Sequence, residues 1–140
     1  MFLSVVIPVY NESSTIDQIV AAVQAVELDK QIIIVDDGST DGTREKIEQL
    51  AAAAPDGSLK TVFQKRNMGK GAALRSGFAA ATGDIILIQD ADLEYHPGEY
   101  ERLLALFETA QADVVYGSRF AGGESHRVLY FWHSIGNHYL

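Results

Sequence analysis

Strand-like and helix-like segments alternate along this chain, and this alternation is the feature that most narrows its possible folds. Runs of β-branched residues indicate buried strands, and apolar residues at helical spacing indicate amphipathic helices. The predicted strands are Leu3–Val9, Gln31–Val35, Leu59–Gln64, Ile85–Gln89 and Asp113–Tyr116. The predicted helices are Thr15–Val26, Thr43–Ala54, Gly71–Ala81 and Tyr100–Ala110. This order predicts an α/β fold with a mostly parallel sheet, right-handed crossovers and helices on both faces.

The composition indicates one globular domain over residues 1–140 that is large enough for a core, with 47% hydrophobic residues. The net charge of -8 argues against a nucleic-acid partner, which would require a basic patch. The absence of cysteine excludes disulfides and thiolate metal sites, and it fits a cytoplasmic location. No apolar stretch approaches the ~20 residues that span a bilayer.

The predicted fourth strand ends in two carboxylates, one residue apart. Asp90 and Asp92 follow the apolar run Ile85–Ile88, as in a buried parallel strand that leaves the core. Ligands of open α/β sheets bind just beyond such strand ends. Two oxygen ligands flanking the small Ala91 can hold Mg²⁺ or Mn²⁺, which takes its other ligands from water and substrate phosphates. The competing interpretation is that both acids only cap the next helix or lie in a solvated turn.

Polar residues also follow the other predicted strands. Glu12 follows the first, Asp36 and Asp37 follow the second, and Arg119 follows the fifth. In a parallel sheet these positions share one edge. Helix capping explains one or two of the acids. Five carboxylates with few basic partners would repel one another unless a cation or a hydrogen-bonding ligand lay between them, so the sequence predicts a ligand site at this edge.

Gly69, Lys70 and Gly71 lie between a predicted strand and a predicted helix. The dinucleotide pattern G-x-G-x-x-G fails because position 74 is Leu, and no G-x-x-x-x-G-K-[ST] phosphate loop is present. These residues therefore indicate a tight turn into the helix, with Asn67 as a candidate ligand contact.

Other function classes fit less of the sequence. No serine has the G-x-S-x-G context of a hydrolase. An aspartyl-nucleophile phosphatase would usually carry its D-x-D motif after the first strand, with a threonine soon after. A receiver-like nucleotide-sensing module would need a lysine after the fifth strand, where this chain has Arg119. His133 and His138 are a poor match to the i, i+4 spacing of helical metal ligands.

Five motifs occur in an order that matches a known family. They are Ser4–Glu12, Val35–Thr43, Asn67–Gly71, Asp90–Leu93 and Gly117–Phe120. Together they resemble the family 2 glycosyltransferases, which have the GT-A fold, a Rossmann-like α/β fold. The branch that looks most similar contains the dolichyl-phosphate mannose synthases and the bacterial polyprenyl-phosphate glycosyltransferases.

The resemblance implies roles for the matching positions. The residues implied for nucleotide-sugar binding are Pro8, Tyr10, Glu12, Val35, Asp37, Asp90, Ala91 and Asp92. Among them, Val35 and Asp37 would contact the base side, with Asp37 accepting hydrogen bonds. The implied ligands of Mg²⁺ or Mn²⁺ are Asp90, Asp92 and Glu94. Asp92 and Arg119 are implied as catalytic residues, with Arg119 facing the phosphate or the acceptor.

The resemblance also implies a reaction, the inverting transfer of mannose or glucose from GDP-mannose or UDP-glucose to a polyprenyl or dolichyl phosphate. The metal would neutralise charge that develops on the leaving diphosphate. A phosphate acceptor is already anionic and needs no general base, whereas the alternative, a sugar-hydroxyl acceptor, would require one. Such an enzyme would be cytoplasmic, with peripheral contact at the cytoplasmic face of the membrane.

Complete members of the family continue well past this length. The sequence stops at Leu140 inside an aromatic, helix-like segment that begins at about Val128, with no helix stop signal. It is therefore interpreted as a C-terminally truncated GT-A domain. We expect it to bind nucleotide and metal but to transfer sugar poorly or not at all.

Overall fold

A computed structural model describes residues 1–55, 57–110 and 112–117 of the chain. Its strands are β1 (Leu3–Val9), β2 (Lys30–Asp36), β3 (Leu59–Phe63) and β4 (Ile85–Ile88), and its helices are α1 (Ile16–Gln24), α2 (Thr43–Ala53), α3 (Lys70–Ala80) and α4 (Tyr100–Ala110). The strands form a parallel four-stranded sheet in the order β3-β2-β1-β4. The predicted α/β class and parallel pairing are confirmed, and these eight elements begin and end within two residues of their predicted bounds.

The chain divides into two compact units, Met1–Gly98 and Glu99–Leu140. The first contains the sheet and α1 to α3, and the second contains α4. The predicted fifth strand, Asp113–Tyr116, is wrong, because residues 112–117 form no strand. Val114 is 62% exposed and Tyr116 is 88% exposed, so the apolar side chains that suggested a strand gain little burial there.

Helices cover both faces of the sheet because the side on which successive strands are added changes along the chain. From β1 to β3 the strands are added on one side, and the chain then crosses back to place β4 beside β1. Right-handed crossovers put α1 and α2 on one face and α3 on the other. The small residues of α3 let it approach closely: a Cβ on Gly77 would lie 2.4 Å from Val6 Cγ1 and 3.2 Å from Val35 Cγ2.

The strand β4 is less buried than predicted. It is a terminal strand of the described sheet, and its residues alternate between half-buried and exposed. Ile86 and Ile88 are 41% and 47% exposed. A run of four apolar residues does not distinguish a strand covered on both faces from a strand covered on one. Among the described residues, no helix is long and apolar enough to cross a membrane.

The register of the sheet brings four loops to one edge. Val9 pairs with Asp36, and Asp36 pairs with Phe63, so β1, β2 and β3 end nearly level. Val6 pairs with Ile88, the last residue of β4. The segments 10–13, 37–42, 64–69 and 89–95 therefore all follow the carboxyl ends of strands, where ligands of parallel sheets bind.

Candidate functional site

A cleft of about 330 Å³ opens at the carboxyl edge of the sheet, and we call it the edge cleft. Its volume is in the usual range for small-molecule sites, ~300–1,000 Å³. The residues that line it are Pro8, Val9, Tyr10, Glu12, Asp37, Asn67, Gly69, Lys70, Ala73, Asp90, Ala91 and Asp92. The structure therefore brings together seven of the residues singled out from the sequence: Pro8, Tyr10, Glu12, Asp37, Asp90, Ala91 and Asp92.

Three other predicted site residues are not among those lining residues. Val35 is fully buried in a core cluster with Val6 and Ala73, so its side chain packs against α3 instead of facing a base. Glu94 is exposed, and its backbone N–H donates to Asp92 Oδ1 at 3.1 Å. The assignment of Glu94 as a third metal ligand stays a prediction. Arg119 lies outside the described residues.

Asp37 hydrogen-bonds the segment that leads into α3, residues 64–69, which we call the 64–69 loop. Its Oδ1 accepts from the backbone N–H of Met68 at 2.8 Å, and its Oδ2 accepts from that of Gly69 at 2.9 Å. The side chain is 4% exposed. Hydrogen bonds to an ionised acceptor are stronger than neutral ones. Asp37 therefore holds one wall of the edge cleft in place, a role that the sequence did not reveal.

Gly38 allows the same loop to approach closely. Its φ is +77°, and an added Cβ would lie 2.5 Å from the carbonyl carbon of Arg66 and 2.6 Å from the nitrogen of Asn67. Neither this backbone conformation nor this contact suits a residue with a side chain. The Asp-Gly pair thus fixes the 64–69 loop by two hydrogen bonds and by backbone packing.

The first two motifs are hydrogen-bonded to each other, which orients Tyr10 and Glu12 towards the edge cleft. Asn11 adopts a left-handed conformation, with φ of +51°. The connecting bonds are Asn11 N to Ser39 Oγ (2.9 Å), Thr40 N to Asn11 Oδ1 (2.9 Å), Glu12 N to Thr43 Oγ1 (3.0 Å) and Ser13 N to Asp41 Oδ2 (3.3 Å). A hydrogen bond from the Thr43 side chain is the main cause that lowers the pKa of Asp41 to about 2.

Gln89 supports the loop that carries Asp90 and Asp92. Its side chain is buried, and Nε2 donates to the carbonyl oxygens of Asp90 at 3.0 Å and Tyr95 at 3.1 Å. The loop between them includes Leu93 with φ of +63°, which is uncommon for a bulky residue. The sequence signal for this supporting role of Gln89 was an amide side chain directly after an apolar strand.

Two of the acids at this edge have a basic partner in the structure. Lys70 Nζ lies 2.5 Å from Asp90 Oδ1, with the Lys70 side chain 58% exposed. Asp36 is fully buried; its Oδ2 lies 3.5 Å from Arg44 Nε, and its Oδ1 accepts from Ser39 N. Of the five acids predicted at this edge, Asp36 and Asp90 are the ones that form salt bridges among the described residues. The sequence signal for Lys70 was a lysine between two glycines at the start of a predicted helix.

The donor set at Asp90 and Asp92 fits a divalent ion that shares its ligands with a phosphate. In the described part of the chain, no three His, Cys, Asp or Glu residues form a metal-binding group. Mg²⁺ and Mn²⁺ suit such open carboxylate sites because they retain water and bind phosphate oxygens. The N-terminus of α3, which begins at Lys70 beside the cleft, favours an anion in the same place.

Residues 4–136 match the family described as glycosyl transferase family 2. An uncharacterised glycosyltransferase of Nostoc sp. is 42% identical over 116 residues, covering 82% of this chain and 35% of that protein. Undecaprenyl-phosphate 4-deoxy-4-formamido-L-arabinose transferase of Aeromonas hydrophila is 41% identical over 106 residues, covering 73% of this chain and 32% of that protein. The chain thus spans about a third of the length of these curated relatives.

Solved structures with similar folds include nucleotide-sugar complexes. A mannosyltransferase from Pyrobaculum calidifontis in complex with GDP-Man and Mn²⁺ has 32% identity and a TM-score of 0.61, covering 64% of this chain and 27% of that one. Glucosyl-3-phosphoglycerate synthase from Mycobacterium tuberculosis, in complex with Mn²⁺, UDP-Glc and phosphoglyceric acid, has 31% identity and a TM-score of 0.61, covering 78% and 40%. Staphylococcus aureus TarS, at 20% identity, shares the fold with a TM-score of 0.69, covering 94% and 40%.

Proposed function

Because this chain belongs to glycosyltransferase family 2 and has its GT-A fold, we propose that the edge cleft binds a nucleotide-sugar donor. We propose further that the whole protein transfers the sugar to a polyprenyl phosphate. The observation that carries the proposal is the placement of Asp90, Asp92 and Lys70 around one cleft at the N-terminus of α3. The acceptor rests on the relatives named for transfer to undecaprenyl phosphate.

The cleft has separate surfaces for the two ends of a donor. Pro8, Tyr10 and Glu12 offer a ring, a phenol and a carboxylate to the base and ribose. Lys70 and the N-terminus of α3 supply the local positive charge that a diphosphate needs in a chain of net charge -8. With this division, the sugar would lie near the loop that carries Asp90 and Asp92, which we call the D-x-D loop.

Asp90 and Asp92 would hold Mg²⁺ or Mn²⁺ against the diphosphate. When bound, the metal would neutralise charge that grows on the leaving diphosphate. Asp90 would also exchange its present contact with Lys70 for the ion. Lys70 would then be free to pair with a phosphate oxygen.

A phosphate acceptor attacks the anomeric carbon through one of its oxygens. The new carbon–oxygen bond forms as the bond to the donor's diphosphate breaks, so the configuration inverts. No proton must be removed from an acceptor that is already ionised. The sugar is mannose or glucose in this proposal, since the similar solved structures hold GDP-Man or UDP-Glc.

Calorimetric titration with GDP, UDP and their sugar conjugates, each with Mn²⁺ and with EDTA, tests the donor site. We expect metal-dependent binding of one nucleotide by the 140-residue chain, and weaker metal-dependent binding by Asp92→Asn. Glu48→Gln, an exposed change on α2, is the charge-matched control. Equal affinity with and without metal in all three proteins would overturn the metal role, and no nucleotide binding at all would overturn the donor site.

The acceptor is tested separately, with the whole protein. Transfer to a short-chain polyprenyl phosphate, with inversion seen by NMR, supports the proposal. Transfer only to a sugar hydroxyl or to phosphoglycerate would replace the acceptor class but retain the donor site. Phosphate release that survives Asp92→Asn and is lost in Asp90→Asn would indicate an aspartyl-nucleophile phosphatase instead. We expect the 140-residue chain alone to transfer sugar poorly, because it spans about a third of its curated relatives.

A further inference from the structure

A second cleft, of about 580 Å³, lies on the other side of the 64–69 loop. It is lined by residues from the end of β3, from the loop and from α3, and we call it the basic groove. Its lining residues are Phe63, Gln64, Lys65, Arg66, Met68, Ala72, Arg75 and Ser76. None of them lines the edge cleft.

The basic groove concentrates positive charge in an acidic chain. Lys65, Arg66 and Arg75 are all exposed, and none of the described residues that line the groove is acidic. Salt bridges among the described residues involve Arg44, Lys46 and Lys70, and none involves these three cations. A chain with 11 basic and 19 acidic residues thus presents together three cations that form no salt bridge with any residue the structure describes.

An apolar side chain is exposed among these charges. Met68 lines the groove and is 59% exposed, although its backbone N–H is fixed by Asp37 at 2.8 Å. Phe63 and Ala72 add further apolar surface to the groove. Cationic heads around an exposed apolar side chain are the pattern of a surface that meets the headgroup region of a bilayer.

The groove and the edge cleft share one loop. Asn67 and Gly69 line the edge cleft, whereas Arg66 and Met68 line the groove. Both therefore lie at the carboxyl edge of the sheet. A surface that contacted the groove would be adjacent to the place where the donor binds.

We propose that the basic groove docks on the anionic phospholipid headgroups of a membrane. The proposal rests on the function proposed above, since a polyprenyl phosphate is held in a bilayer. A chain of net charge -8 is repelled by an anionic membrane unless a local basic surface faces it. The three cations supply that surface, and Met68 inserts between the headgroups. Docking there brings the edge cleft to the acceptor.

Vesicle co-sedimentation tests this. The wild-type chain should bind vesicles of equal parts phosphatidylcholine and phosphatidylglycerol, and not vesicles of phosphatidylcholine alone. Added salt should weaken the binding. Lys65→Ala/Arg75→Ala should weaken it by on the order of 20-fold, taking about fivefold for each cation near the surface. The control Lys60→Ala/Arg102→Ala removes two exposed cations elsewhere and should retain most of the binding.

Three results would overturn the docking proposal: no binding to either vesicle, equal binding to both, or equal losses in the two double variants. If soluble glycerol phosphate displaced the chain from sedimenting vesicles as strongly as competing vesicles did, the groove would be assigned to a free phosphoester instead of a membrane. Nucleotide titration of the same double variants separates this proposal from the donor site. In Lys65→Ala/Arg75→Ala, lost vesicle binding with intact nucleotide binding supports the groove. In the wild-type chain, vesicle binding without nucleotide binding indicates that only the donor site fails.

Discussion

The ammonium of Lys70 lies 2.5 Å from Oδ1 of Asp90, so a cation of the protein occupies the position beside one of the two cleft carboxylates. Lys70 is the first residue of α3, and Asp90 follows β4, so the contact joins two elements across the edge cleft. The pair is partly exposed, which makes it a weak contributor to stability and an exchangeable contact. It allows the charge of Asp90 to be balanced either by Lys70 or by a metal ion.

Lys70→Met should therefore change metal binding and nucleotide binding in opposite directions. Removal of the competing cation frees Asp90, so Mn²⁺ alone should bind a few-fold more tightly, in line with a contact worth up to ~1 kcal/mol. GDP or UDP with Mn²⁺ should bind more weakly, because the diphosphate loses a positive partner. Calorimetry with each ligand measures both, and Lys60→Met is the control. Parallel weakening of both affinities would contradict the exchange.

Gly38→Ala should destabilise the chain more than Gly42→Ala does. Both glycines have a positive φ, +77° and +94°, so each variant bears the conformational cost of ~1–2 kcal/mol. Only Gly38 also faces backbone atoms at 2.5 Å, whereas nothing lies within 4 Å of a Cβ on Gly42. Overpacking should add roughly 1–3 kcal/mol to the Gly38 variant. Urea unfolding of the two variants isolates this difference, and equal losses would mean that the 64–69 loop moves away freely.

The location of the site could be predicted from the sequence because it depends on topology. Alternating strands and helices dictate a parallel sheet, and a parallel sheet collects its carboxyl ends at one edge. The partners of the acids could not be predicted in this way. Asp37 binds Met68, which is 31 residues further along the chain, and this contact depends on the folding of two loops. The same holds for Lys70 and Asp90, 20 residues apart.

Local patterns also failed where burial decided the outcome. Val35 directly precedes the acids of the second motif, yet its side chain packs in the core with Val6 and Ala73, because β2 is buried on both faces. The segment Asp113–Tyr116 has strand-forming residues but remains exposed and forms no strand. Residue preference alone specifies neither which face a side chain takes nor whether a neighbouring strand is present.

Gln89→Leu should impair the D-x-D loop more than the fold as a whole. The change removes two side-chain hydrogen bonds, to the carbonyls of Asp90 and Tyr95, and should cost roughly 1–3 kcal/mol of stability. Because those bonds support the loop that carries Asp90, metal-dependent nucleotide affinity should also fall. Gln31→Leu is the matched control, since Gln31 is also buried and donates a side-chain hydrogen bond to Ser4 Oγ, but it lies near the start of β2 and does not line the edge cleft. Loss of stability with unchanged metal-dependent affinity would restrict Gln89 to a packing role.

Asp41→Asn should alter how stability depends on pH. The Thr43 hydrogen bond lowers the pKa of Asp41 from 3.8 to about 2, so the folded chain binds fewer protons here than the unfolded chain does. The resulting stabilisation is complete above pH ~4 and is lost as the pH falls towards 2. The stability difference between wild type and Asp41→Asn should therefore be constant from neutral pH to about pH 5 and shrink below pH 4. Urea midpoints over this range measure it, with Glu48→Gln as the control. A difference that stays constant down to the acid limit of the folded state would show that the carboxylate does not contribute through its charge.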